Sequence, residues 1–272
     1  LSDDVMTREQ AMNVPTISSC VNKIAEAIST IPIKLYRLDA AGRLEEIKGD
    51  RRVGLLNNDT GDTLDSVQFK RALTRDYLLG KGGYAYINKN GLDVQSIHYV
   101  KESEISFMYN VDPIFKDYDI LVQGAVYKPF QFLKLLRNTE DGRSGQSVVA
   151  ENSEVISVAY HSLKYEKNLV KTGGNKKGFI KSPRKLAKEA IEALKTAWRR
   201  LYQNNTENVV VLNEGLEFQE ASNTSVEMQL NENKRTNGDE ICKLFGMPPA
   251  VVSGKATEQD RADFVQFCLN PI

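Results

Sequence analysis

The chain has 272 residues, 41% of them hydrophobic and 26% charged, and its 36 Lys and Arg residues balance its 36 Asp and Glu residues. These values are typical of a globular protein of one or two domains with a sizeable core, and they argue against a protein whose whole surface attracts nucleic acid. No apolar run approaches the ~18 residues of a membrane-spanning helix, so a membrane partner is not expected.

The first predicted element is an amphipathic helix that begins near Pro15. Its apolar residues recur at alternating intervals of four and three, which places them on one helical face. These residues are Ile17, Val21, Ile24, Ile28 and Ile31. Pro32 ends the helix because its ring clashes with the preceding turn. The alternating residues that follow, and "RLEEI" after the turn "DAAG", predict a strand and its hairpin partner.

A second helix is predicted to begin where Asp62 or Thr63 can accept a backbone N–H bond as N-cap, and to end at Gly80. The segments beyond it are typical of strands: "GYAYI", "DVQSIHYV", "EISFMY", "YDILVQ" and "FQFLKLL". Asn90 and Gly91 can supply the positive φ angles of a tight hairpin turn between the first two. The middle third of the chain is therefore predicted to be mainly antiparallel β structure.

Long helices are predicted for much of the remaining chain. A glycine-rich break at 138–147 precedes a helical pattern that extends to about residue 170. A second break at 172–183 contains a short apolar strand and ends at Pro183, which fits the first position of a further helix. A third long helix is predicted for 224–245.

The residues that usually carry catalysis or bind cofactors do not form a recognisable constellation. Cys20, Cys242 and Cys268 lack metal-type spacing, and each lies on an apolar helical face, which indicates small buried residues in a reducing compartment. Neither His98 nor His161 has a metal ligand at helical spacing. In the segment "GGNKKGF", Gly178 is followed by Phe179 and Ile180, where a phosphate loop has Lys and then Ser or Thr. We therefore expect no cofactor, no metal ion and no enzymatic activity, although carboxylate pairing for acid–base chemistry stays open at this level.

Positive charge is concentrated in the segment 164–200, which carries twelve Lys or Arg residues against three Glu residues. The segment therefore has nine excess positive charges, and because the chain is neutral overall, the remainder has nine excess negative charges. Such asymmetry indicates a surface that faces a polyanion, an interface between complementary subunits, or a solvated pair of helices without a partner.

The end of the third long helix carries the most specific pattern in the sequence. The run "EICKLFGMPPAVVSG" resembles the end of a long helix in the portal, or head–tail connector, proteins of tailed bacteriophages, where Ile-x-x-x-Phe-Gly-Val-Pro-Pro is followed by an apolar pair before a glycine. The matching motif residues are Ile241, Phe245, Gly246, Pro248 and Pro249. Met247 stands where the family has Val. Gly246 fits the C′ position of the helix, the prolines prevent its continuation, and Val251 and Val252 can pack back against it.

Weaker matches extend the resemblance over nearly the whole chain, in the order found in the family. They are "STIPIKLYRL" at 29–38, "YLLGKGGYAYI" at 77–87, "WRRLYQNNTENVVVLNEGLEF" at 198–218 and "FVQFCLNP" at 264–271.

The resemblance implies an α+β fold in which a mainly antiparallel β/α wing domain carries long stem helices joined by a small clip. The wing would comprise 1–147 and 204–272, and the stem helices would occupy 148–203, with the clip at 172–183. The family continues with more helix beyond the last matching residues, so the crown region is expected to be missing from this chain.

The resemblance also implies a ring, usually of twelve copies, at the portal vertex of the capsid in the virion, assembled in the host cytoplasm. The ring would pass duplex DNA during packaging and ejection, dock the terminase packaging motor and join capsid and head–tail adaptor proteins. Exposed loops often carry function, and the clip residues expected to dock the motor are Gly174, Lys176, Lys177, Phe179 and Lys181. The uncharged polar residues expected to face the DNA are Ser222, Asn223, Thr224 and Ser225.

Sliding of DNA through a channel favours weak contacts, so most of the basic residues of the second stem helix are expected at subunit interfaces or on the outer stem. The five basic residues concerned are Lys185, Lys188, Lys195, Arg199 and Arg200. Two other functions stay open: a nucleic-acid-processing enzyme whose basic helix binds phosphates, and a structural adaptor of a phage head that is not a portal. A phosphate loop or metal cluster would favour the enzyme, whereas the adaptor would not need a long helix pair around a small clip.

Overall fold

The computed structural model describes residues 6–39, 42–112, 114–171, 178–181, 187–203, 217–220 and 224–272. The chain divides into two compact units. Unit 1 comprises Leu1–Ser157 and Gly238–Ile272, and unit 2 comprises Val158–Asn237. The helices and antiparallel strands confirm the expected α+β class. The unit boundaries differ from those of the predicted wing, stem and clip, whose roles stay predictions.

The helices and strands have the following bounds. The helices are α1 (Arg8–Met12), α2 (Pro15–Thr30), α3 (Arg51–Asn57), α4 (Ser66–Leu79), α5 (Val148–Glu151), α6 (Ser153–Lys171), α7 (Lys188–Gln203), α8 (Thr224–Leu244), α9 (Pro249–Val252) and α10 (Glu258–Asp263). The strands are β1 (Tyr36–Leu38), β2 (Leu44–Glu46), β3 (Gly83–Asn90), β4 (Asp93–Val100), β5 (Ile105–Tyr109), β6 (Tyr118–Val122), β7 (Ala125–Tyr127), β8 (Phe132–Leu135), β9 (Gly178–Lys181) and β10 (Glu217–Glu220). A π-helical turn, Phe264–Leu269, follows α10.

Helices α2 and α4 of unit 1 pack against each other. The predicted apolar stripe of α2 is buried at Ile17, Val21 and Ile24, whereas Ile31 lies beyond the end of the helix and is exposed. Lys70 of α4 donates a hydrogen bond of 3.0 Å to the Ile31 carbonyl. A cation is favourable at this end of α2 because the last carbonyls of a helix lack backbone partners. Burial lowers the pKa of Lys70.

The N-cap of α4 is Asp65, whose side chain accepts the backbone N–H of Gln68 at 2.7 Å. The prediction that Asp62 or Thr63 caps this helix is therefore wrong. Asp62 instead accepts the backbone N–H of Tyr99 on β4 at 3.2 Å. Asp62 and Tyr99 are 37 positions apart in the sequence, so the carboxylate that the local pattern predicted to cap the helix instead binds a distant strand.

Strand β3 lies at the centre of unit 1, in a sheet of order β4-β3-β8. Consecutive side chains of a strand point to opposite faces. Ala85 belongs to a buried cluster with Phe69 of α4, whereas its neighbour Tyr84 belongs to a cluster with Ile105 and Ile120 of the sheet β5-β6-β7. The central sheet is therefore the middle layer between α4 and the second sheet. All pairings in both sheets are antiparallel, as predicted for the middle third.

Two local boundaries differ from the sequence prediction. The β3–β4 turn consists of Gly91 and Leu92, not of Asn90 and Gly91. Of Asn90, Gly91 and Leu92, Gly91 is the one with a positive φ, +61°. The long helical pattern after residue 147 is interrupted at Asn152, which separates α5 from α6 and donates a side-chain hydrogen bond of 2.9 Å to the Val148 carbonyl.

A buried carboxylate ties α1 to the core of unit 1. Asp76 of α4 has an exposure of 0% and accepts hydrogen bonds from Arg8 Nη1 at 2.5 Å and from the Tyr99 hydroxyl at 2.6 Å. A carboxylate removed from water needs such donors, because its desolvation is otherwise unfavourable. Burial and the bond to Asp76 raise the pKa of Tyr99.

Unit 2 contains the antiparallel pair of β9 and β10, in which Phe179 lies opposite Gln219 and Ile180 opposite Phe218. It also contains an ion pair of 2.8 Å between Lys234 Nζ and Glu166 Oε2, which joins α8 to α6. The strand predicted at "NVVVL" lies outside the described residues.

Candidate functional site

The most specific sequence motif forms a Schellman turn at the end of α8. The Met247 N–H donates to the Cys242 carbonyl at 2.9 Å, and the Gly246 N–H donates to the Lys243 carbonyl at 3.0 Å. Gly246 has a φ of +62°. These bonds satisfy carbonyls that the helix leaves without partners, and glycine suits the left-handed position because it has no Cβ. Gly246 thus occupies the C′ position expected from the sequence.

The turn is packed against the C-terminal π-helical turn. Phe245 and Met247 are buried, and Cys268 Sγ donates to the Phe245 carbonyl at 3.1 Å. A Cβ built on Gly246 would lie 3.1 Å from the Phe267 carbonyl oxygen. Glycine at this position therefore permits both the left-handed backbone conformation and the close packing of the segment 264–269 against the turn. The resemblance included both segments, but the sequence contained no signal that they touch.

The two prolines begin a new helix. Pro248 is the N-cap of α9 and Pro249 is its first residue, where a missing N–H is harmless. Because α8 has already ended at Leu244, the prolines separate two helices rather than terminate the first one by themselves. Val251 and Val252 are half-buried, and α9 packs against α2.

The three cysteines are buried in unit 1, as the sequence predicted. Cys20 Sγ of α2 and Cys242 Sγ of α8 lie 3.9 Å apart, and all three thiols are free. The hydrogen bond with Cys242 and burial raise the pKa of Cys20, and burial raises the pKa of Cys268 to about 12. Among the described residues, no group of three or more His, Cys, Asp or Glu side chains is arranged to hold a metal ion.

A chain of hydrogen bonds that the sequence did not reveal joins an Asp, a His and a Ser on and beside β4. His98 Nδ1 lies 3.2 Å from Asp62 Oδ1, and His98 Nε2 lies 2.8 Å from Ser96 Oγ. Serine hydrolases use the same order of groups. Here, however, Ser96 is buried and its Oγ accepts from Asn88 Nδ2 at 3.0 Å, and a Cβ built on Gly61 would lie 2.9 Å from Ser96 Cβ. The Ser96 hydroxyl thus already has two side-chain partners, Asn88 and His98, and the chain of bonds links the loop that contains Asp62 to β4.

The predicted clip residues fall partly within the described chain. Phe179 and Lys181 belong to β9, and their backbones pair with β10. Gly174, Lys176 and Lys177 lie outside the described residues. The role of the clip in motor docking stays a prediction.

The predicted DNA-facing residues lie at the start of α8. Thr224 and Ser225 are the first residues of this helix, and Ser222 and Asn223 lie outside the described residues. Their contact with DNA stays a prediction.

Helix α7 carries exposed basic residues. Lys188 and Lys195 are exposed, and Lys195 Nζ forms a 2.8 Å ion pair with Glu192 of the same helix. An exposed pair of this kind contributes little, about 0–1 kcal/mol. Arg199 and Arg200 belong to α7, whereas Lys185 lies outside the described residues. In the described part of the chain, no helix has the length and apolar character needed to span a membrane.

Comparison with known proteins gives a consistent result. A family model described as phage portal protein matches residues 15–272. The probable portal protein of Streptomyces phage phiC31 is 22% identical over 291 residues, which cover 99% of this chain and 63% of that protein. The chain thus spans less than two thirds of the length of this curated relative.

Solved structures share the fold. An HK97 family phage portal protein from Corynebacterium diphtheriae matches with a TM-score of 0.67 and 12% identity, over 100% of this chain and 88% of that chain. A second match is a chain from the neck of an empty gene transfer agent (GTA) particle, a neck structure computed with C6 symmetry. This match has a TM-score of 0.64 and 19% identity, over 97% of this chain and 77% of that chain.

Proposed function

Because the chain belongs to the phage portal protein family, whose model matches residues 15–272, we propose that it forms the ring-shaped DNA channel at one vertex of a phage or prophage capsid. There it serves genome packaging and ejection and contacts the packaging motor, the capsid and the head–tail adaptor. The family match carries this proposal, and the fold shared with a portal protein of the HK97 family supports it. Portal proteins are structural proteins, and we propose that this one has no catalytic activity and assembles in the host cytoplasm.

A closed ring requires two different, complementary surfaces on each copy. The charge distribution of the chain provides a basis for them, since 164–200 carries nine excess positive charges and the remainder nine excess negative ones. The exposed Lys188 and Lys195 of α7 would then meet acidic groups of the neighbouring copy. We propose a ring of twelve copies, and the symmetric particle neck that contains a similar chain supports a ring.

The passage of DNA argues for the same placement of the basic residues. Each phosphate contact by Lys or Arg strengthens binding through counterion release, and each such contact makes the logarithm of the binding constant fall by ~0.9 per unit of log salt concentration. Tight phosphate binding would slow translocation, so basic residues at subunit interfaces suit a channel better than basic residues in its wall. The polar residues at 222–225 are proposed to face the duplex instead.

Native mass spectrometry and negative-stain electron microscopy of the purified chain test the proposal. We expect closed rings with a central hole and a mass near twelve copies. The Lys188→Glu, Lys195→Glu variant should form fewer rings at low salt, whereas the same reversal at the exposed Lys48 and Lys89 of unit 1 should leave the rings intact. Monomers at all protein concentrations would contradict the proposed assembly, and equal ring yields for both variants would contradict the proposed interface.

A further inference from the structure

The proposed function makes no use of the thiol pair formed by Cys20 and Cys242. The two residues are 222 positions apart in the sequence, yet their sulfur atoms are 3.9 Å apart. Cys20 has an exposure of 0% and Cys242 an exposure of 2%, so the two thiols meet at a site closed to solvent. The pair joins the middle of α2 to the last turns of α8, next to the Schellman turn.

We propose that Cys20 and Cys242 are the site of an intramolecular disulfide that forms when the protein meets an oxidising environment. To reach a bond length of ~2.05 Å, the sulfur atoms must approach by roughly 1.9 Å from their separation of 3.9 Å. Both cysteines belong to unit 1, so the bond depends on the fold of that unit and not on ring assembly.

The oxidant is a small-molecule disulfide such as glutathione disulfide. One protein thiolate attacks a sulfur of the oxidant and expels one glutathione thiolate, which gives a mixed disulfide. The second protein thiolate attacks the protein sulfur of this mixed disulfide and expels the second glutathione. Two protein thiols are thus oxidised to one disulfide, two glutathione molecules are released as thiols, and the two protons pass to the released thiolates.

Cys268 is the third buried cysteine and serves as the control. Its Sγ donates to the Phe245 carbonyl at 3.1 Å. Burial of all three thiols disfavours bonds between chains. A particle that leaves a reducing cytoplasm enters the conditions in which disulfides persist. The bond would then link α2 covalently to the end of α8. It would also stabilise the fold, because a cross-link between positions far apart in sequence restricts the unfolded chain most.

The test uses the full chain, purified with reductant. One sample is equilibrated with glutathione disulfide, and a second is refolded in the same buffer, so that in this second sample burial of the thiols does not limit their reaction with the oxidant. Alkylation and non-reducing peptide mapping should show a Cys20–Cys242 peptide that has lost two hydrogens, and one free thiol at Cys268. The melting temperature should rise by roughly 5–15 °C and return on reduction. Cys268→Ser should keep the linkage and the shift, and Cys20→Ser should lose both, each compared with its own reduced form. Three free thiols after both treatments, or a linkage through Cys268 or between chains, would overturn the proposal.

Discussion

Replacement of Gly246 by Ala tests the geometry at the end of α8 most sharply. The residue has a φ of +62°, which is unfavourable for a side chain with a Cβ, and its added methyl would lie 3.1 Å from the Phe267 carbonyl oxygen. The first effect costs about 1–2 kcal/mol. The second forces a small shift of the segment 264–269 and costs roughly 1 kcal/mol more. We expect a total loss of about 2–3 kcal/mol in the free energy of unfolding.

Two glycines of the same chain provide matched controls. Gly254 has a φ of +74° and open space where an added methyl would lie, so Gly254→Ala should show only the conformational loss of about 1–2 kcal/mol. Gly238 lies inside α8, and a Cβ there would have its nearest neighbour, Thr16 Oγ1, at 3.5 Å. Because Ala is the better helix former, Gly238→Ala should raise the free energy of unfolding by about 0.5–1 kcal/mol.

The assay is urea unfolding of the reduced protein, followed by circular dichroism, with thermal melting as a second measure. Gly246→Ala should melt roughly 4–10 °C below the parent chain. A loss no larger than that of Gly254→Ala would show that the contact with Phe267 is unimportant. An unchanged stability would refute the assignment of Gly246 to a left-handed, closely packed turn.

Three further outcomes are expected. Asp76→Ala should lower the free energy of unfolding by roughly 2–4 kcal/mol in urea titrations, because it leaves Arg8 and Tyr99 without their buried acceptor, and a loss no larger than that of an exposed Asp would contradict the network. Burial raises the pKa of Glu151, but hydrogen bonds from Asn138 and Arg137 outweigh this effect and hold the pKa below the ordinary 4.5, so the free energy of unfolding should fall as the pH drops below 4.5. The slope of unfolding free energy against pH should be shallower for Glu151→Gln, and identical slopes for variant and parent would contradict the lowered pKa of Glu151. Charge reversal at Lys176 and Lys177 should weaken binding of the packaging motor in a pull-down without loss of rings, and equal motor binding by both proteins would contradict motor docking at the clip.

The sequence predicted those elements whose signals are local. The period of Ile17, Val21 and Ile24 identified α2, and Gly246 followed by two prolines identified the end of α8, because helix geometry and backbone conformation depend on near neighbours. Asp62 misled the prediction because its partners, His98 and Tyr99, belong to a strand that follows much later.

Contacts between distant segments were beyond the reach of the sequence pattern. Nothing in the spacing of Cys20 and Cys242 indicated that their sulfur atoms meet, and nothing indicated that Phe267 covers Gly246. Similarly, the apolar pair after Gly178 predicted a short strand, but not that β10 pairs with it. These contacts depend on how whole elements pack, and a pattern of hydrophobic residues specifies which face is buried without naming its partner.

A cryo-electron microscopy reconstruction of the purified assembly tests the central claim most directly. A portal should appear as a closed ring with a channel wide enough for duplex DNA, with the residues 222–225 near the channel wall and the basic side of α7 against the neighbouring copy. An assembly without a through-going channel, or one in which Lys188 and Lys195 line it, would contradict this account.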